Sequence, residues 1–167
     1  MLYVFVEGYY DDLFVDKVFV KGNPNISIIR YATREDCYVK AYIKSISCMP
    51  NASYVFIADS DGLTIKEKKK KLIEHYPNLD ENAVFLSVYE VESWYYAGIS
   101  ETFSIKNKFR HYQLDTNTLT KEQFYMKLPA NSSRILTMLN ILDNYNTDIA
   151  CNRNYSFQLI YTKNCFG

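Results

Sequence analysis

The stretch YVFIADSDGLT, residues 54–64, decides our prediction of the fold. Its first half is apolar and rich in β-forming residues, which is typical of a buried strand, and it leads directly into Asp59 and Asp61. Because alternate residues of an extended chain share a face, we expect both carboxylates to lie on the same side. Two carboxylates this close repel each other, so a cation, a shared proton or water must relieve them.

Predicted strands and helices alternate on both sides of this stretch. Two further strands are predicted upstream, at residues 2–8 and 25–32, and a fourth follows downstream at residues 83–88. The intervening segments have apolar residues at helical spacing, and the predicted helices cover residues 11–22, 34–46 and 64–76. This alternation predicts an α/β fold in which a mainly parallel four-stranded sheet is flanked by helices.

From about residue 101 the alternation is lost, and the last third of the chain is predicted to be a helical C-terminal extension. Residues 104–120 are polar and are predicted to form a loop. Helices are predicted at residues 121–128 and 132–145, while the tail at 153–164 fits either a short helix or an edge strand.

Length and composition indicate one domain without a strong electrostatic preference. The 167 residues suffice for an α/β core at 1–100 and an extension at 101–167 packed on the same core. Lys and Arg total 19, as do Asp and Glu, so contact with nucleic acid would depend on a local patch. The opening apolar run is too short for a membrane span or signal peptide, and no CxxC pair is present. We therefore expect a cytoplasmic protein with reduced thiols and no membrane association.

Acidic residues gather at the predicted strand ends, where α/β proteins place their functional crevice. The acids that follow the first, third and fourth strands are Glu7, Asp59, Asp61, Glu90 and Glu92. Asp11 lies about one helical turn beyond Glu7 and can face the same crevice. Convergent carboxylates are the ligands of hard divalent cations, which can orient a phosphodiester and activate water. The pattern predicts a Mg²⁺ or Mn²⁺ site.

Two alternative roles for these acids stay open. A single acid at a strand end is often only a helix cap or part of a solvated turn. Residues 59–64 also match the DxDGxT pattern of haloacid-dehalogenase-type phosphatases, in which Asp59 would be the nucleophile and Asp61 a general acid. In that family the motif follows the first strand, whereas two strand–helix units precede it here, and Glu7 would have no role.

Residues 4–14, VFVEGYYDDLF, together with residues 56–62, FIADSDG, resemble the Toprim domain of topoisomerases, primases, OLD-type nucleases and small rRNA-maturing ribonucleases. The shared motifs are a strand that ends in Glu-Gly and a later strand that ends in Asp-x-Asp. Residues 90–98 and 153–161 are similar to the E-x-E-x-W and N-x-SF segments of small stand-alone Toprim-like proteins. Some relatives of that group act in anti-phage systems beside ATPase partners.

This resemblance implies a Mg²⁺- or Mn²⁺-dependent nuclease that cleaves DNA or RNA, in phage defence. The metal ligands it implies are Glu7, Asp11, Asp59, Asp61, Glu90 and Glu92, with Glu7, Asp59 and Asp61 also catalytic. Gly8 would let the main chain approach a phosphate. A basic residue after the core would hold the scissile phosphate, and the catalytic candidates are Arg153 and Lys163.

Local basic patches are the candidates for contact with phosphate or nucleic acid. They are Lys66, Lys68, Lys106, Lys108, Arg110 and Arg134. The run at residues 66–71 equally fits a solvated helix face, and residues 106–112 equally fit an exposed loop. Because the overall charge is zero, a non-catalytic or partner-dependent effector subunit that works with an ATPase stays open as an alternative.

Overall fold

The computed structural model describes residues 1–110, 112–163 and 166, so residue 111 of the predicted loop and residue 164 of the predicted tail lie outside it. The described chain forms two compact units, residues 1–86 with Phe166, and residues 87–163. Within those described ranges, no helix is both long enough and apolar enough to cross a membrane.

A four-stranded parallel sheet forms the centre of the first unit and confirms the predicted α/β fold. In spatial order the strands are β2, β1, β3 and β4. Their bounds are β1 Leu2–Val6, β2 Ile26–Arg30, β3 Ser53–Asp59 and β4 Val84–Ser87. In the register of the sheet, Val4 of β1 pairs with Ile28 on one side and with Val55 on the other. All four predicted strands are therefore present.

Over its described residues, the first unit contains the α-helices α1 Tyr9–Val15, α2 Asp36–Ser47 and α3 Ile65–His75. Helix α1 continues as a π-helical turn, Asp16–Val20. Helix α3 begins with a capping box, in which the Thr64 hydroxyl accepts the Glu67 amide hydrogen and the Glu67 carboxylate accepts that of Thr64. This cap fixes where α3 starts, just after the acidic turn.

An aromatic stack runs through the core of the first unit. Phe5 and Phe56 are fully buried, with ring centroids 5.7 Å apart, and the Tyr31 ring lies 4.6 Å from that of Phe56. Tyr76 packs against both Tyr31 and Phe56. The stack positions the Tyr31 hydroxyl at the edge of the sheet where β1 ends.

The second unit is helical over the residues described. Its helices are α4 Glu92–Ala97, α5 Glu101–Lys106, α6 Lys121–Lys127, α7 Arg134–Asp143, α8 Thr147–Arg153 and α9 Tyr155–Thr162. Helix α5 corrects the prediction of a loop from residue 104, because the Ser100 hydroxyl caps the helix and Ser104 is buried. The tail is a helix, capped by the Asn154 side chain, so the edge-strand alternative is wrong.

The second unit has its own aromatic core. Trp94, Tyr95 and Tyr96 are fully buried, and the Tyr145 hydroxyl donates a hydrogen bond to the Trp94 carbonyl oxygen at 2.8 Å. The Tyr145 ring lies against Gly98 so closely that a Cβ atom there would overlap it. Gly98 is therefore required by close packing.

Candidate functional site

The sheet brings Glu7 and Asp59 to the same edge. Glu7 is the first residue after β1, and Asp59 is the last residue of β3. These two strands are parallel neighbours, and their register pairs Phe5 with Phe56. Glu7 lies two residues after Phe5, and Asp59 lies three residues after Phe56. Both side chains are partly accessible to solvent.

Asp11 joins this edge through the first turn of α1. Its Oδ2 atom accepts the Gly8 amide hydrogen at 3.1 Å, and the residue is 7% exposed. Gly8 has extended backbone geometry, and a Cβ atom there would make an ordinary contact with Asp11 Oδ2 at 3.6 Å. The fold itself thus tolerates a side chain at position 8.

Tyr31 contacts Glu7 at this edge of the sheet. Its hydroxyl donates a hydrogen bond to Glu7 Oε2 at 3.3 Å. Burial strongly raises the pKa of Tyr31, and the negative charges of Glu7, Asp11 and Asp59 raise it further. The phenol therefore stays protonated near neutral pH, within the electrostatic reach of all three carboxylates. Sequence reasoning missed Tyr31, whose only signal is its position directly after β2.

Asp61 lies in a turn beyond the end of β3. Strand β3 ends at Asp59, and Asp61 and Gly62 both have left-handed backbone angles, with φ of 51° and 75°. The alternation of faces holds only in extended chain, so it stops before Asp61. The Lys68 ammonium group instead pairs with the exposed Asp61 carboxylate. A lysine side chain is thus what relieves the charge of Asp61.

A cleft of about 570 Å³ opens beside these residues within the first unit. Glu7 and Asp61 supply carboxylates to its lining, and α3 supplies Lys68, Lys71 and His75. The three basic residues recur at helical spacing, so one face of α3 presents them together. Lys66, which was also predicted to contact phosphate, is exposed on α3 and is not part of the lining. The volume lies within the range typical of small-molecule sites, about 300–1,000 Å³.

The predicted ligands Glu90 and Glu92 lie in the second unit, around a lysine. Lys121 donates its amide hydrogen to Glu90 Oε2 at 2.9 Å, and its ammonium nitrogen lies 3.9 Å from Glu90 Oε1 and 3.7 Å from Glu92 Oε1. Glu92 is 2% exposed and also accepts a hydrogen bond from the Tyr125 hydroxyl at 2.9 Å. Lys121 and Tyr125 were missed, because their partners lie about 30 residues earlier in the chain.

Two segments that carry the resemblance meet inside the second unit and have a structural role there. The indole nitrogen of Trp94 donates a hydrogen bond to the Ser156 hydroxyl at 2.8 Å. That hydroxyl donates in turn to Asn154 Oδ1, which also accepts the Phe157 amide hydrogen. The E-x-E-x-W and N-x-SF segments therefore hold α4 and α9 together.

The predicted cations of the second unit have different surroundings. Arg153 is 5% exposed, and its guanidinium donates to the main-chain carbonyls of Ala97, Ile99, Gln113 and Leu114. Arg134 lies over the Tyr125 ring, 3.7 Å from its centroid. The remaining cations are exposed: Lys106, Lys108, Arg110 and Lys163. The guanidinium of Arg153 therefore holds main-chain segments of its own unit together, which is a structural role.

The carboxylate oxygens of Glu7, Asp11 and Asp59 are the kind of ligand that a hard divalent cation prefers. Within residues 1–110, 112–163 and 166, no group of three or more His, Cys, Asp or Glu side chains is arranged to hold a metal ion. Mg²⁺, however, prefers oxygen ligands and commonly uses one or two carboxylates together with water and substrate phosphates. Glu7 and Asp59, with Asp11 nearby, match that smaller requirement.

No protein-family model, no curated protein and no solved structure matches this chain.

Proposed function

We propose that this protein is a Toprim-like nuclease that hydrolyses phosphodiester bonds of DNA or RNA with the help of Mg²⁺ or Mn²⁺, acting in the cytoplasm in phage defence. The observation that carries the proposal is the sheet edge where β1 and β3 end, which places Glu7 beside Asp59, with Asp11 in the first turn of α1 bonded to the Gly8 amide. Like charges placed together cost folding free energy, so such a group favours a cationic ligand.

Glu7 and Asp59 would hold the ion, with Asp11 supporting them from α1. When bound, a divalent ion supplies charge stabilisation to the phosphate and lowers the pKa of an attacking water. Mg²⁺ sites that share a substrate phosphate do not require a complete protein cage, which agrees with the small number of ligands available here.

The side chains around the acids would orient the reacting groups. The Tyr31 hydroxyl would orient Glu7 through its hydrogen bond. Asp11 holds the Gly8 main chain in place through the amide of that residue. The ammonium groups of Lys68 and Lys71 face the cleft and would offset the negative charge of a substrate phosphate.

A partner-dependent effector is the second candidate, and the balance of charge favours it. The chain carries as many acidic as basic residues, and both Lys68 and Lys121 are paired with carboxylates of their own unit. A nuclease that binds nucleic acid alone usually has a stronger basic footprint. In this alternative the protein would bind metal but would need a partner such as an ATPase to act.

Calorimetric titration with Mg²⁺ and Mn²⁺ tests the metal site. The wild-type protein is compared with Asp59→Asn and Glu7→Gln, and with Glu74→Gln as a control, because Glu74 is an exposed acid outside the cleft lining. The proposal predicts binding that both site variants lose and the control keeps. Equal binding by all four proteins would overturn it. Turnover of p-nitrophenyl phosphate with a covalent adduct at Asp59 would support the phosphatase alternative instead.

A further inference from the structure

The cleft of the first unit carries a second feature, a basic wall formed by one face of α3. Lys68 pairs with Asp61, and His75 Nε2 lies 2.7 Å from Asp36 Oδ2. Lys71 lies between them on the same face of α3 and is exposed to solvent. Within the part of the chain that the structure describes, Lys71 is in none of the ion pairs. The wall therefore has a positive charge available to an incoming anion.

The rest of the lining is apolar and aromatic. Leu63, Leu72 and Tyr76 complete the cleft beside the charged residues. Most of the surface of Tyr76 and of Leu72 is buried in the core, and this packing fixes their positions. A single nucleotide offers a phosphate beside the flat face of a base, which matches a cleft with a charged side and an apolar side. The volume of about 570 Å³ is far too small for a duplex.

We propose, building on the nuclease function above, that this cleft binds the terminal phosphate of one nucleic-acid strand, with Lys71 contacting the phosphate and His75 lining the same wall. A terminal phosphate monoester carries a charge of about −1.5 to −2 at neutral pH, more than the single charge of an internal diester. A basic wall of this kind therefore prefers a strand end to the middle of a strand.

The same charges couple the phosphate to the metal ion. Two carboxylates, Glu7 and Asp61, and two ammonium groups, Lys68 and Lys71, leave the cleft lining nearly neutral. A dianionic phosphate that enters a neutral cleft is stabilised by an additional cation, so each ligand increases the affinity for the other. Linkage requires that the two increases are equal.

The test measures binding separately from cleavage. The probes are single-stranded pentanucleotides with phosphorothioate linkages, carrying a 5′-phosphate, a 3′-phosphate or no terminal phosphate, each titrated with and without Mg²⁺. We expect the wild-type protein to bind one phosphorylated probe about tenfold more tightly than the unphosphorylated one, as a charge-assisted contact would give. The better of the two phosphorylated probes identifies which strand end is bound.

Two variants on the same helix serve as test and control. Lys71→Ala combined with His75→Gln removes the basic wall, whereas Lys70→Ala removes an exposed lysine that pairs with Glu74 outside the cleft. We expect the double variant to lose the preference for a terminal phosphate and Lys70→Ala to keep it. Equal affinity of the wild type for all probes would overturn the inference, as would a preference that survives in the double variant.

The outcomes for this inference and for the nuclease proposal are distinct. Phosphate-dependent binding without cleavage of any DNA or RNA would support the cleft and overturn the nuclease. Cleavage of circular and linear single strands at the same rate would support the nuclease and overturn recognition of a strand end.

Discussion

Asp59→Asn should make the protein more stable without divalent metal and less stable with it. The change keeps the shape of the side chain and removes one of the three carboxylate charges that act on Tyr31. Adjacent strands lie about 4.8 Å apart and one residue of offset adds about 3.3 Å along the strand, so the Cα atoms of Glu7 and Asp59 lie about 6 Å apart.

The size of the effect follows from that separation. With this Cα separation taken as the scale of the charge separation, two unit charges repel by about 3 kcal/mol at an effective dielectric constant of about 20, and by about 0.7 kcal/mol in water. Both side chains are partly accessible and solvent screens the repulsion, so we expect the variant to gain up to about 1 kcal/mol in the free energy of unfolding. For a chain of this length, each kcal/mol raises Tm by about 2–4 °C.

In the presence of Mg²⁺ the wild-type protein should become more stable than Asp59→Asn. A ligand present at about 100 times its Kd stabilises the protein that binds it by about 2.7 kcal/mol, and the variant lacks that gain. Thermal unfolding in EDTA and in excess Mg²⁺ measures both effects, with Glu74→Gln as the control that shows neither. An Asn variant that is no more stable than wild type in EDTA, or that gains equally from Mg²⁺, would refute this reasoning.

Three further predictions concern the second unit. Lys121→Met leaves the nearly inaccessible Glu92 carboxylate without its cation, so urea unfolding should show a loss of about 1–3 kcal/mol, whereas Lys121→Arg should stay near wild type. Burial raises the pKa of Glu90 above its ordinary 4.5. The contribution of Glu90 to the free energy of unfolding is therefore greatest at low pH, where the side chain is protonated, and is lost as pH rises through the pKa of the folded state. Glu90→Gln should therefore reduce the change in Tm between about pH 4 and pH 7. Gly98→Ala should cost at least about 2 kcal/mol, because the methyl group overlaps the Tyr145 ring, and an unchanged Tm would contradict that packing.

The fold was predictable from the sequence because the decisive signals are local. Apolar β-forming runs alternate with helical spacing through residue 88, and each predicted strand is present in the parallel sheet. The edge where Glu7 and Asp59 lie follows from the direction of parallel strands alone. The alternation of faces cannot be extended to Asp61, because β3 ends at Asp59 and the following glycine is a turn signal.

The partners of the acids were not predictable, because they come from distant parts of the chain. Tyr31 contacts Glu7 across 24 residues, and Lys121 reaches Glu90 across 31. Arg153 illustrates the same limit. Charged side chains are mostly exposed, so a buried arginine that binds four main-chain carbonyls has no signature in sequence.

Cleavage of labelled nucleic acid is the most direct test of the central claim, that the acids at the sheet edge support metal-dependent hydrolysis. Single- and double-stranded DNA and RNA are incubated with wild type and with Asp59→Asn, in Mg²⁺, in Mn²⁺ and in EDTA. We predict cleavage of at least one substrate by the wild-type protein in the presence of metal, and none by the variant or in EDTA. Cleavage that persists in Asp59→Asn, or no cleavage by the wild type under any condition, would contradict the account.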